Sequence, residues 1–78
     1  MMRRRYARPL RKILRKIRRR IPLSYSEIAL YFGIERRIVK NIFFMYRNYG
    51  RDSVESITLS DKQIDKIISL KYPKGMIQ

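Results

Sequence analysis

Residues 24–42 read SYSEIALYFGIERRIVKNI, and this stretch contains the start of one helix, a turn and a second helix. Ser24 followed by Glu27 is a capping box, in which each side chain accepts a hydrogen bond from a free backbone N–H at a helix start. Gly33 stands where the chain takes a left-handed turn, which glycine makes without steric strain. The pattern therefore predicts helices over residues 25–32 and 35–48.

The composition limits the class of protein. The chain has 78 residues, with 20 Lys and Arg against six Asp and Glu and a formal charge of +14. This length suits one domain with a modest core. The charge favours a polyanionic partner such as nucleic acid, or an anionic membrane surface. Because no run of about 18 apolar residues occurs, we expect no membrane span.

The residue types of common enzymatic sites are missing. The chain has no Cys and no His, which excludes disulfides, thiolate zinc sites, Cys nucleophiles and imidazole bases. Asp52, Glu55, Asp61 and Asp65 are spaced as surface and capping residues, with no nucleophile beside a base. We therefore predict a protein that is not an enzyme and that uses no cofactor and no metal.

Most of the net charge lies in the first quarter of the chain. Residues 1–8 have too little apolar content to fold alone, so they are predicted to form a flexible basic arm. Pro9 suits the first position of a helix, which we predict over residues 9–20. Apolar residues recur at helical spacing there and leave a basic outer face: Leu10, Ile13, Leu14, Ile17 and Ile21. Such a helix also suits an anionic lipid surface.

The C-terminal third predicts one more helix. Residues 50–60 form either a connector or a short strand, and we favour the connector. Ser60 and Gln63 form a second capping box, so a helix is predicted over residues 61–72, followed by a tail at 73–78. The apolar residues of that helix either close the core or pair with a second copy, which would give a homodimer.

The quoted stretch resembles the helix-turn-helix of DNA-binding proteins, in the three-helix class of sigma-factor, resolvase and homeodomain-like units. That family's pattern has a small residue followed four positions later by glycine, as Ala29 and Gly33 are here. The apolar positions around this pair are also matched: Ile28, Phe32, Ile34, Val39 and Ile42. Glu35 departs from the pattern, which commonly has a Ser or Thr cap. The predicted fold is an all-α bundle of three to four helices over residues 9–72, containing a helix-turn-helix.

Helical spacing divides the second helix of this pair into a buried stripe and an outward face. The predicted buried stripe contains Val39, Ile42, Tyr46 and Tyr49. The predicted DNA-binding residues lie on the outward face: Arg36, Arg37, Lys40, Asn41, Phe44 and Arg47, with Asn48 beside them. Arginine bonds guanine edges bidentately, asparagine does so with adenine, and lysine binds phosphates. Phe44 would pack on a thymine methyl or pack in a dimer.

Two further groups are predicted to contact the phosphate backbone. The free N–H groups at the start of the helix over 25–32, with Ser24, Tyr25 and Ser26, are one group. The outer face of the first helix is the other: Arg11, Arg15, Arg18 and Arg19. The arm would add contacts to phosphates or to a narrow minor groove, through Arg3, Arg4, Arg5 and Arg8.

These features favour a non-catalytic double-stranded DNA-binding protein, a small transcription regulator. Two alternatives stay open. One is a DNA-packaging or architectural protein with little sequence preference, because phosphate contacts dominate nonspecific affinity. The other is a basic protein that binds RNA or the ribosome. The expected location is intracellular, in the cytoplasm or nucleoid, or inside a virion with packaged DNA.

Overall fold

A computed structural model describes residues 2–73, with side chains from residue 10 onward. Within that range the protein is all-α and contains no strand. Its helices are α1 (Met2–Arg18), α2 (Tyr25–Phe32), α3 (Arg36–Tyr49) and α4 (Asp61–Lys71), with a 3₁₀ turn at Arg51–Ser53. No helix in the described part of the chain is both long and apolar enough to cross a bilayer.

The bounds of α1 differ from the prediction at both ends. The helix begins at Met2, so Pro9 lies inside it and not at its predicted first position, and residues 2–8, which were predicted to form a flexible arm, are helical. That prediction rested on the scarcity of apolar residues, which limits packing, whereas Arg, Met and Ala favour the helical backbone locally. The side chains of the four arginines predicted to contact DNA from this arm, Arg3, Arg4, Arg5 and Arg8, lie outside the described residues. At the other end α1 stops at Arg18 because Arg20 takes a left-handed conformation, with φ of 59°.

The bounds of α2 agree with the sequence. The Ser24 hydroxyl accepts from Glu27 N at 3.1 Å, and the Glu27 carboxylate accepts from Ser24 N at 2.9 Å, which completes the capping box. Gly33 ends the helix in the left-handed conformation, with φ of 68°. Both signals are local hydrogen-bond or backbone effects, so the helix bounds follow from a few neighbouring residues.

The helix α4 closes the core within the chain. It is capped by the predicted box, in which Gln63 N donates to Ser60 Oγ at 3.2 Å. Its residues Ile64, Ile67 and Leu70 are buried, so the first of the two predicted roles for this apolar face is the one observed. A homodimer through the helix over 61–72 stays a prediction, to which these three buried residues offer no apolar surface.

One core contains side chains from all four helices and from the connector over residues 50–60. Its buried members are Ile13, Leu23, Ile28, Ala29, Val39, Ile42, Phe43, Val54, Ile64, Ile67 and Leu70. Of the stripe predicted on α3, Val39 and Ile42 are buried and Tyr46 is partly buried, but Tyr49 is 67% exposed. Tyr49 is the last residue of a 14-residue helix packed on an eight-residue one, so the end of α3 extends beyond α2.

The connector is held against α4 by Arg51. Its guanidinium donates to the Asp65 carboxylate at 2.7 Å and to Asp61 at 3.3 Å. The hydrogen bond with Asp65 raises the pKa of Arg51 most, and the hydrogen bond with Asp61 raises it further. This arginine therefore serves the fold and contributes little to the free positive surface.

Candidate nucleic-acid interface

Phe43, which the sequence prediction missed, sets the position of α3. It is fully buried, and its ring stacks on Tyr25 with the centroids 5.3 Å apart. Tyr72 packs edge-on against the same ring at 5.8 Å. Because Tyr25 is the first residue of α2, the stacking fixes the start of α2 beside α3.

The outward face of α3 is exposed as predicted. All six residues assigned to DNA binding and the neighbouring Asn48 are exposed: Arg36, Arg37, Lys40, Asn41, Phe44, Arg47 and Asn48. The helix thus presents three arginines, one lysine and two amides around a single aromatic ring. A surface of this composition is suited to both phosphates and base edges.

Two hydrogen bonds order parts of this face. Glu35 accepts from Arg37 Nε at 2.7 Å, with 85% of the Arg37 side chain exposed. The Asn48 amide donates to the Phe44 carbonyl at 2.8 Å. The Glu35 side chain makes no capping hydrogen bond at the start of α3, so the acidic departure from the helix-turn-helix pattern instead lowers the net charge around Arg37.

The start of α2 and the start of α3 line one shallow cavity of about 280 Å³. Its walls are Ser24, Tyr25, Ser26, Arg36 and Lys40. The fold therefore brings together three predicted phosphate contacts and two predicted DNA contacts that lie up to 16 residues apart in the sequence. The Ser24 hydroxyl already accepts from Glu27 N, and Tyr25 is partly buried under Lys71 Nζ, 4.9 Å from the ring centroid. Ser24, Ser26, Arg36 and Lys40 are exposed, and of the two serines only Ser24 has its hydroxyl engaged in the capping box.

Lys16 on α1 is engaged with α2. Its Nζ donates to the Glu27 carboxylate at 2.7 Å, where Glu27 also accepts from Ser24 N. Burial opposes the charged carboxylate, but the hydrogen bonds from Lys16 and Ser24 outweigh it and lower the pKa of Glu27. The pair fastens α1 to the capping box that begins α2.

The rest of the outer surface of α1 is basic. The four arginines predicted to contact phosphates, Arg11, Arg15, Arg18 and Arg19, are all exposed. Lys12 lies on the same side and is also exposed, although it was not predicted; helical spacing alone would have included it. Among side chains of residues 10–73, none of these five forms an ion pair.

Comparisons of the chain with protein-family models, with curated proteins and with solved structures find no match. Within residues 2–73 no cluster of three acidic side chains is placed to hold a metal ion. The assignment of function therefore depends on the charge and geometry of the α2–α3 surface.

Proposed function

We propose that the protein binds double-stranded DNA without catalysis, as a small transcription regulator, with α3 in the major groove. The observation that carries this proposal is the shared cavity at the starts of α2 and α3, where Ser26 lies beside Arg36 and Lys40. A phosphate at this cavity would meet the N–H groups of α2 and two cations at once.

The outward face of α3 supports a role in reading bases. The major groove is about 12 Å wide and admits one α-helix. Arg37 and Asn41 are one helical turn apart on that face, and both are exposed. Their side chains have the donor and acceptor geometry for guanine and adenine edges, whereas phosphate contacts fix only the register.

The basic surface of α1 favours a second candidate, a DNA-packaging protein. Five exposed cations without ion pairs among the described side chains would neutralise phosphates whatever the base sequence: Arg11, Lys12, Arg15, Arg18 and Arg19. Such contacts give affinity that depends strongly on salt and little on sequence.

Selection from random duplexes at near-physiological salt tests the proposal. We expect an enriched duplex to bind at least about 10³-fold more tightly than random duplex. Equal affinity for all duplexes would assign the protein to packaging, and stronger binding of RNA than of duplex DNA would contradict both candidates.

Two charge-matched variants locate the reading surface. Arg37→Gln is expected to cost about 1–3 kcal/mol at one base-pair position and to relax the preference there. Arg11→Gln removes the same charge from α1, so it should weaken binding to all duplexes alike and lower the salt slope by about one. If Arg37→Gln behaves like Arg11→Gln, Arg37 contacts phosphate and does not read a base.

A further inference from the structure

Phe44 is the apolar member of an otherwise polar surface. Its side chain is 57% exposed, and helical spacing places it near the middle of the outward face of α3, between Lys40 and Asn48. A large aromatic ring among charged and amide groups leaves apolar area in water, which burial against a ligand would remove.

The ring is held in place from one side. Tyr49 packs edge-on against it, with the centroids 6.5 Å apart and the planes at 72°. The Asn48 amide is bound to the backbone carbonyl of Phe44. This part of the face therefore presents a positioned aromatic ring, with less amide donor capacity free for a base edge.

We propose that Phe44 reads thymine by packing on its C5-methyl group in the major groove. The inference rests on the proposed function, since it needs α3 in that groove. Among the four base pairs, the thymine methyl is the apolar feature that the major groove displays. The cations around Phe44 favour a polyanionic partner, so a nucleic acid suits this ring better than an uncharged apolar surface does.

The test uses duplexes that differ by one methyl group. Starting from the enriched duplex, each thymine is replaced in turn by deoxyuridine, which keeps the base pair and removes the methyl. We expect a loss of about fourfold in affinity at one or two positions, the value for one buried methyl-sized group. Phe44→Ala should bind the thymine and deoxyuridine duplexes equally.

Arg47→Gln is the matched control, because it changes an exposed residue on the same face and keeps the ring. As one of the predicted DNA contacts, it should weaken binding of the thymine and deoxyuridine duplexes alike, so that the ratio between the two affinities stays that of wild type. Phe44 is exposed, so its truncation is not expected to unfold the protein; a circular dichroism melt checks this.

Three results would overturn the inference while leaving DNA binding intact. They are an enriched site without thymine, equal binding of thymine and deoxyuridine at every position, and a thymine preference that survives Phe44→Ala. If Phe44→Ala instead reduces the mass measured by sedimentation and leaves that preference unchanged, the ring packs against a second copy. Absence of any preferred duplex overturns the proposed function and this inference with it.

Discussion

The two connections between the first three helices end the preceding helix with the same pair of backbone hydrogen bonds but with different residues. At the end of α1, Arg20 N donates to Ile17 O at 3.1 Å and Ile21 N to Lys16 O at 2.8 Å. At the end of α2, the Gly33 and Ile34 N–H groups make the equivalent pair, at 3.3 and 3.0 Å. Both are Schellman motifs. The left-handed residue is an arginine in the first and a glycine in the second.

The two connections differ in how the next helix is capped at its N-terminus. The first leads to the capping box of Ser24 and Glu27, whereas the second leads to Glu35, which caps nothing. A left-handed residue with a Cβ costs about 1–2 kcal/mol, and a missing N-cap costs about 1 kcal/mol. Each connection thus joins one helix end that its local residues stabilise to one helix end that they do not. Both stabilised ends belong to α2. The shortest helix of the four is the one with the strongest local signals.

Among the variants that test this comparison, Gly33→Ala is expected to lower the free energy of unfolding most. A Cβ at Gly33 would meet no atom within 4 Å, so the cost is purely that of the left-handed backbone, about 1 kcal/mol after the gain from a stiffer unfolded chain. Urea unfolding measures this loss of stability. Arg20→Ala is the control, since it exchanges one residue with a Cβ for another at the equivalent position and should change stability little. Equal destabilisation by the two variants would show that the backbone at Gly33 is not the cause.

Arg20→Gly should make the two connections alike. Removal of the Cβ relieves the strain at φ of 59°, while the added freedom of the unfolded chain and the loss of a cation near the C-terminus of α1 offset part of the gain. We expect a stabilisation of about 0.5 kcal/mol, measured as a shift of the urea midpoint at unchanged slope. Arg19→Gly, one residue earlier, lacks this gain and should destabilise or leave stability unchanged. Loss of stability in Arg20→Gly would mean that the arginine side chain stabilises the fold by more than the backbone strain costs.

Local signals explain how much of the fold could be predicted from the sequence. Both bounds of α2 were correct because Ser24, Glu27 and Gly33 act within one turn of the chain. The end of α1 was placed two residues too late because an arginine gives no warning of a left-handed conformation. Phe43 was missed because periodicity gives the direction of a buried face and not its width.

The candidate site also has one feature that the sequence predicts and one that it does not. Exposure of Arg36, Lys40 and the other outward residues follows from the spacing of α3 alone. Their position beside Ser26 depends on how α2 and α3 pack, and the stacking of Phe43 on Tyr25 fixes that arrangement. A contact between two helices cannot be predicted from the periodicity of either one.

The smallest expected effect concerns the charge of the first capping box. Glu27→Gln gives it the neutral chemistry of Ser60 and Gln63, so the cap is kept and the ion pair with Lys16 is lost. Because the pKa of Glu27 is lowered in the folded protein, its stabilising contribution is present above the ordinary glutamate pKa of about 4.3 and is lost as the pH falls through the lowered value.

Wild type should therefore exceed Glu27→Gln in stability by less than about 0.5 kcal/mol near neutral pH, since the pair is partly exposed. The difference should shrink as urea unfolding is repeated at pH values falling below that of the ordinary glutamate pKa. Glu55→Gln makes the same exchange at an exposed carboxylate that has no ion pair within residues 10–73, so it is the matched control for the loss of one surface charge. A difference between wild type and Glu27→Gln that stays constant with pH would mean that side-chain packing at α2, and not the charge of Glu27, distinguishes the first capping box from the second.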